Sequence, residues 1–365
     1  MAIINTRSPH YISVAIANLG VATLTIEVYS GDKTTGFAGT PQYNLSKQVI
    51  GATERISFEV AELIKDYVDI SFSGDYSTAA DTSCKWVRTV LTALDGNGVQ
   101  LSQTISTDLA FNSYGYFDEG SNFSFEYEGL LMSNIDVIVN SGDSIRIPVF
   151  TDRNPTVKFY DSANQVLQSN TYTASDLSEE QVQVESYTGS TAVKATVNYT
   201  GSSGSETTTI KIIQEQDSKH TPYKVTFINK FGVVQDLFFL KKSVEKMATK
   251  RQNYKSNTLN SSNTYNTTDH VKRDFNITAS ESISLSSGFV PESFNEVFKQ
   301  LMLSERLWMK KQGDLKDIEV KSLAYKEKPI NIKTSSVSYK TQVNDKLIEY
   351  TIEFDNSSSV LNDIR

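Results

Sequence analysis

The chain has 365 residues, 43 acidic and 35 basic, for a formal net charge of −8. That length exceeds one ordinary hydrophobic core, and 18 Tyr with 18 Phe exclude a wholly disordered chain. One cysteine, Cys84, excludes an intrachain disulfide and a cysteine-rich metal site; no apolar run approaches the ~20 residues of a membrane-crossing helix, and the dispersed acidic excess argues against a general nucleic-acid binder.

The first region runs from Met1 to Phe150. Met1 to Leu24 is broken by Asn5, Arg7, His10 and Asn18, so it reads as strand and not as the apolar core of a signal peptide. Tyr11–Ala17 and Ala22–Tyr29 alternate. In the second, Leu24, Ile26 and Val28 face one way and Thr23, Thr25 and Glu27 the other. Asn18-Leu19-Gly20 supplies a turn between them. Val60, Leu63, Ile64 and Tyr67 recur at helical spacing, which predicts a short helix over Glu59–Asp66, followed by strand over Tyr67–Phe72. In Ser83–Asp95, Trp86, Val90 and Leu94 fit one side of a strand or, at i+4 spacing, a helix; the Thr and Val content favours strand, closed by the turn Asp95-Gly96-Asn97-Gly98. Tyr114-Gly115-Tyr116-Phe117 forms an aromatic loop whose Tyr114, Tyr116 and Phe117 are candidates for recognition, or for folding back on the core. Ile135–Val139 and Ser144–Phe150 look like paired strands.

The second region, residues 151–216, carries strand signals at Thr156–Tyr160, Val182–Tyr187, Ala192–Tyr199 and Thr207–Ile213, the last two reading as a hairpin. Short strands with no helix predict a small sandwich or barrel. The third region, residues 217–365, opens with an aromatic hairpin, Tyr223–Ile228 and Val233–Leu240, about the turn Asn229-Lys230-Phe231-Gly232. Thr249–Asn276 is polar, broken by Tyr254 and Tyr265, and reads as a long arm or extended loop. Ser293 and Glu296 have capping-box spacing. Phe294, Val297, Phe298, Leu301 and Trp308 share one helical face, and Gly313 stands where that helix would stop. Alternation returns at Asp317–Leu323, Ser335–Thr341 and Leu347–Phe354, with a turn at Asn344-Asp345. The expected fold is therefore mainly β and multi-domain: small β-sandwich or barrel modules with a C-terminal α+β domain.

Catalytic patterns are sparse. His10, His220 and His270 lack the close spacing of a helical zinc site. Gly31–Gly36 has no phosphate cradle, and Gly201–Ser205 fails the nucleophile-elbow pattern. Cys84 sits in an apolar pattern, as a buried structural thiol does. Glu126 and Glu128 share one face of a candidate strand, a pairing that any acidic β protein yields by chance. No catalytic residue, metal or cofactor is expected. Lys241, Lys242, Lys246, Lys250 and Arg251 form a basic segment that reads as a solvated strand edge or as a contact with an acidic partner. Phe231, Phe238, Trp308, Tyr254 and Tyr265 are the candidate interface residues, against the plain alternative of core packing for Phe231, Phe238 and Trp308.

Phe227 to Phe239, Lys241 to Glu245, Ser287 to Glu292, Leu303 to Trp308, Asn344 to Ile348 and Tyr350 to Phe354 together carry a resemblance. It touches the N-terminal strand pair and Phe58–Tyr67 as well. In texture this part of the chain resembles structural proteins of tailed bacteriophages that infect Bacteroidetes-type bacteria. The resemblance implies a non-enzymatic virion component, assembled in the host cytoplasm. It implies a place in a tail, neck or baseplate and a ring or tube built with copies of itself and other virion proteins. It transfers no site residue, membrane span or nucleic-acid role. The rival expectation is a receptor- or glycan-binding tail fibre or adhesin module.

Overall fold

The computed structural model describes residues 2–50, 54–70, 72, 74, 84–173, 181–215, 219–311, 327–338 and 347–360. The strand expected over 317–323 and the turn at Asn344-Asp345 lie outside these residues. So does the end of the strand expected over 335–341, and its described part, 335–338, is not strand. Contacts divide the chain into two units. One comprises Met1–Gln216, Thr226–Leu237 and Ser293–Glu305. The other comprises Asp217–Val225, Phe238–Glu292 and Arg306–Arg365.

The first unit begins with β1 (Ile3–Asn5), β2 (Tyr11–Ala15), β3 (Val21–Tyr29), β4 (Tyr43–Gln48), β5 (Arg55–Glu59), the helix α1 (Ala61–Lys65), β6 (Cys84–Leu94) and β7 (Gln100–Phe111). Five of these strands form a sheet in the order β1-β7-β6-β3-β4, and β2 pairs β5. The period-2 pattern decides which faces meet. Ala22, Leu24 and Ile26 of β3 point inward beside Val87 and Leu91 of β6, and Ile56, Phe58, Val60 and Ile64 cover them from the other layer. Each large side chain buried there contributes about 1.5–3 kcal/mol. Among the described residues, the strand expected after α1 is absent. Tyr67 N–H and Val68 N–H donate back to the Ile64 and Lys65 carbonyls, so the chain leaves the helix through extra turns. Val68 and Ile70 are buried all the same.

A second set of strands follows: β8 (Asp136–Asn140), β9 (Ser144–Phe150), β10 (Thr156–Tyr160), β11 (Val166–Thr171), β12 (Val182–Thr188), β13 (Lys194–Gly201) and β14 (Gly204–Glu215). Their sheet order is β11-β10-β13-β14-β8, with β9 and β12 forming a separate pair. The expected pairing of Ile135–Val139 with Ser144–Phe150 is therefore wrong. β8 runs parallel to β14, Val137 opposite Ile212, and β9 runs antiparallel to β12, Ile147 opposite Glu185. The Asn140–Asp143 turn, with Gly142 at φ 91°, turns a corner between two sheets instead of closing a hairpin. Alternation gives the buried face of a strand, not its neighbour. Glu126 and Glu128 do not share a strand face either, because Glu126 and Tyr127 form a turn. The buried Glu185 carboxylate accepts from Asn170 Nδ2 at 2.8 and 3.0 Å, from Gln168 Nε2 and from Tyr172 Oη. These bonds satisfy a group that would otherwise be costly to bury.

The remaining elements are β15 (Tyr223–Ile228), β16 (Val234–Phe239), β17 (Ser243–Lys255), β18 (Lys272–Pro291), α2 (Phe294–Met302), β19 (Leu307–Lys311), β20 (Lys328–Ile332) and β21 (Leu347–Asn356). β15 and β16 each pass from one unit into the other. In the second unit the strands follow the order β19-β20-β21-β18-β17. Its buried side chains include Leu285, Ile330, Ile348, Ile352 and Phe354, and Phe239 meets Phe354 edge-on at 6.1 Å.

Helix α2 is shorter than its apolar stripe suggests. It ends at Met302, and Trp308 lies on β19 instead of on its face. Leu303 N–H and Ser304 N–H close the last turn onto Lys299, Gln300 and Leu301 carbonyls. Lys310 and Lys311 close β19. The capping box is also absent. Ser293 is helical itself (φ −55°, ψ −24°) and makes no side-chain cap. Its Oγ donates to Asp136 Oδ2 at 2.6 Å.

Candidate functional site

β17 and β18 form a long antiparallel ribbon. The register runs from Ser243 opposite Leu285 out to Lys255 opposite Lys272. The segment expected as a long arm or extended loop, 249–276, is therefore strand at both ends, over 249–255 and 272–276, and 256–271 connects them. Thr, Tyr, Phe, Ile and Val at this density favour strand even where the remainder is polar. A bulge interrupts the ladder between Lys250 and Gln252, and Asn276 takes φ 49° there. Such a residue opposite the gap increases the local twist. The connecting loop has its own turn, with Asn260 Oδ1 accepting from Ser262 N–H at 2.9 Å and Thr264 N–H at 3.1 Å.

The inner part of the ribbon is supported. β18 pairs β21 from Ser282 opposite Asp355 to Pro291 opposite Leu347. Farther out, among the described residues, no third strand pairs with Lys272–Glu281, and the outer edge of β17 is open along its length. An isolated two-stranded hairpin is marginal in water, and open strand edges are templates for pairing. This ribbon nevertheless exposes Met247, Tyr254, Phe275 and Ile277, with Leu259, Tyr265 and Val271 on its loop. Tyr254 and Phe275 meet edge-on at 5.7 Å while each remains about half exposed.

Of the predicted basic residues, Lys246, Lys250 and Arg251 lie on the first strand, and Lys241 and Lys242 just before it. Lys242, Lys246, Lys250 and Arg251 are exposed, whereas the Lys241 stem lies across Gly288, where a Cβ would stand 2.6 Å from Lys241 Cγ. Arg251 pairs Asp274 at 3.3 Å, and Lys246 lies 3.9 Å from Glu353. Register brings in basic residues that chain order alone did not connect: Lys255 stands opposite Lys272 and Tyr254 opposite Arg273. The signal was present in Lys272-Arg273, but it needed the pairing to be read.

Beneath the inner ribbon, within the second unit, lies a cleft of about 370 Å³ lined by Tyr223, Glu245, Met247, Ile283, Met309 and Lys311. Tyr223 Oη donates to Glu245 Oε1 at 2.8 Å, and Lys311 Nζ stands 3.4 Å from the same oxygen. Burial, then the bond to Glu245, raises the Tyr223 phenol. The same bond, then Lys311, lowers Glu245. Burial alone would lower Lys311, but Tyr223 and Glu245 outweigh it and raise the ammonium. Each shift favours the protonation states the three already hold at neutral pH, so this is a locked ion–hydroxyl cluster, not a poised proton carrier.

The aromatic loop splits. Tyr114 is buried under the Arg7 guanidinium, 4.9 Å from its ring centre. Tyr116 is half-buried, with Lys299 Nζ 3.3 Å and Lys230 Nζ 4.6 Å from its ring centre, and its Oη donates to Glu296 at 2.5 Å. Phe117 alone is fully exposed. Phe231 packs edge-on against Phe125 at 5.3 Å, beside a core containing Trp86, Phe111 and Phe150. Phe238 is buried, Trp308 is partly so, and Tyr254 and Tyr265 are exposed. Cys84 is buried. No group of three or more His, Cys, Asp or Glu among the described residues is arranged to hold a metal ion.

No family model matches this chain, and no curated protein does. Among solved structures, titin domains Z1Z2 in complex with telethonin match at 19% identity, over 58% of this chain and 98% of that one, with a TM-score of 0.17. Drosophila OTK extracellular domains 3–5 match at 9% identity, over 78% and 89%, with a TM-score of 0.20. The BSP domain of a biofilm-associated protein matches at 9% identity, over 76% and 58%, with a TM-score of 0.18. Scores of this size carry no shared role. The chain is mainly β and multi-domain, built of small sandwich-like modules with a small C-terminal α+β element.

Proposed function

We propose that the protein is a structural component that acts by non-covalent docking, as the resemblance to tailed-phage tail, neck or baseplate proteins implies, in a ring or tube with copies of itself and other virion proteins. One observation carries this reading. Among the described residues, the β17–β18 ribbon extends past its supporting strand with the outer edge of β17 open and with Met247, Tyr254, Phe275 and Ile277 exposed. A lone ribbon of that kind gains stability by being covered, and main-chain bonds along an open edge are a ready means of covering it. Light scattering and negative-stain imaging of the purified chain, beside a variant with 249–278 replaced by a tight turn, test it. The expected result is ring or tube particles from the natural chain and none from a shortened chain that keeps its circular dichroism. Equal assembly by both would defeat the reading.

A second reading, a receptor- or glycan-binding module, rests on Phe117, which stands fully exposed beside the clamped Tyr116. Saturable binding on a glycan array that Phe117→Ala abolishes would support it.

A further inference from the structure

The two units differ in charge. Met1–Gln216, Thr226–Leu237 and Ser293–Glu305 contain 14 basic and 28 acidic residues, a net of −14. The remaining segments contain 21 basic and 15 acidic residues, a net of +6. Exposed carboxylates on the acidic unit include Glu54, Glu62, Asp66, Asp69, Asp118 and Glu128. A chain of total charge −8 is thus divided into parts of opposite sign.

We infer that the partner of the ribbon is a second copy of this chain. The basic, aromatic outer ribbon of one copy docks on the acidic first unit of another, head to tail. This deepens the assembly reading and rests on it.

Three features of the ribbon carry the inference. Lys255 and Lys272 stand directly opposite each other across the two strands. Like charges so placed weaken a ribbon, and an acidic surface laid over them removes the repulsion. Arg273 stands opposite Tyr254, whose ring meets Phe275, and aromatic residues with Arg are the usual anchors of protein interfaces. Finally, a two-fold contact between ribbons would set Lys250, Lys255 and Lys272 against their own kind, which charge complementarity disfavours. A heterologous contact sets them against carboxylates, and heterologous contacts build rings or filaments. Nucleic acid would also accept basic and aromatic groups. It is disfavoured by the carboxylates of Glu245, Asp274 and Glu281 along the same ribbon and of Asp269 on its loop.

The test uses full-length chain in heavy- and light-isotope forms, mixed and treated with a carbodiimide that joins lysines to carboxylates. The expected products are mixed-isotope peptides linking Lys250, Lys255 or Lys272 to carboxylates of the first unit. Sedimentation velocity is expected to show self-association at low salt that falls as salt rises. The variant Lys255→Glu/Lys272→Glu/Arg273→Glu should associate roughly a hundredfold more weakly while keeping its circular dichroism. Self-association unchanged by this variant overturns the inference, and so does a ribbon charge effect seen only with single-stranded DNA as probe. A monomeric natural chain whose ribbon variant drops out of particles built with another virion protein overturns the inference and leaves the assembly reading standing. A natural chain that neither self-associates nor enters any particle ends both.

Discussion

Lys224 and Glu327 form an ion pair at 2.9 Å with side chains only 4% and 7% exposed. At that burial the pair differs from the surface bridges elsewhere in the chain, which are worth little. Glu327→Gln removes the carboxylate facing a buried ammonium and is expected to cost about 3–5 kcal/mol in urea unfolding. The double change Lys224→Met/Glu327→Leu should cost less than either single change, because the charge left behind is the penalty. His10 gives a pH prediction. Burial holds its imidazole below the usual 6.5, against the opposing pull of Asp108 and then Glu59, and its Nδ1 has no hydrogen-bond partner among the described residues. The folded state therefore favours neutral imidazole. The unfolded chain takes up a proton first as pH falls, so this contribution is complete above 6.5 and is lost as pH drops through the lower folded value. His10→Gln should flatten the fall in thermal midpoint between neutral and mildly acidic pH relative to the natural chain, and parallel curves would refute this. Asp32 titrates lower still, at about 2, because Thr34 Oγ1 and the Thr34 and Thr35 amides donate to it, so it stays ionised across that window.

At the scale of elements, helix α2 gives the clearest prediction. The Ser293–Glu296 spacing suggested a cap worth about 1 kcal/mol, yet Ser293 Oγ reaches Asp136 instead. Ser293→Ala should therefore lose its effect in an Asp136→Ala background, where a true cap would still matter. Thermal unfolding of the four members of this cycle decides between them. The turn at Asn229–Gly232 gives another. Gly232 has φ 76°, and a Cβ there would stand 2.7 Å from the Asn112 carbonyl, so Gly232→Ala should destabilise by roughly 1–3 kcal/mol. These cases show where sequence reasoning stops. Alternation marked β3, β6, β10, β12 and β21 because one face of each is buried and periodicity reports burial. It missed β11 because Val166 and Leu167 are adjacent and both exposed. It carried α2 through Trp308 because a stripe at helical spacing persists in sequence after the backbone has turned. It left 249–276 as loop or arm because an exposed ribbon has no buried face to give it a period. Of the candidate site, Lys242, Lys246, Lys250, Arg251, Tyr254 and Tyr265 were legible as a polar basic segment with exposed rings. Lys272, Arg273 and Phe275 were not grouped with them, since only cross-strand register brings them together.

Across the whole molecule, support is unevenly distributed. β6 in the first unit has a strand on each side, and Trp86, Val87 and Ala93 along it are fully buried. β17 has a partner on one side, and its residues from Val244 to Lys255 are exposed. Amide exchange follows local opening, and opening costs least where few apolar contacts must break. Under high salt, which suppresses charge-driven association, amides of 247–255 and 272–280 should exchange at least about a hundredfold faster than those of β6. A gradient should run along the ribbon, with protection rising where β18 joins β21 at Ser282. When assembly is allowed at low salt, the outer amides should slow while those of β6 stay as they were, because only the ribbon gains a cover. Uniform slowing across both regions would mean that association tightens the whole chain. No slowing on the ribbon would mean that assembly proceeds through another surface, and the open edge of β17 would then need a different explanation.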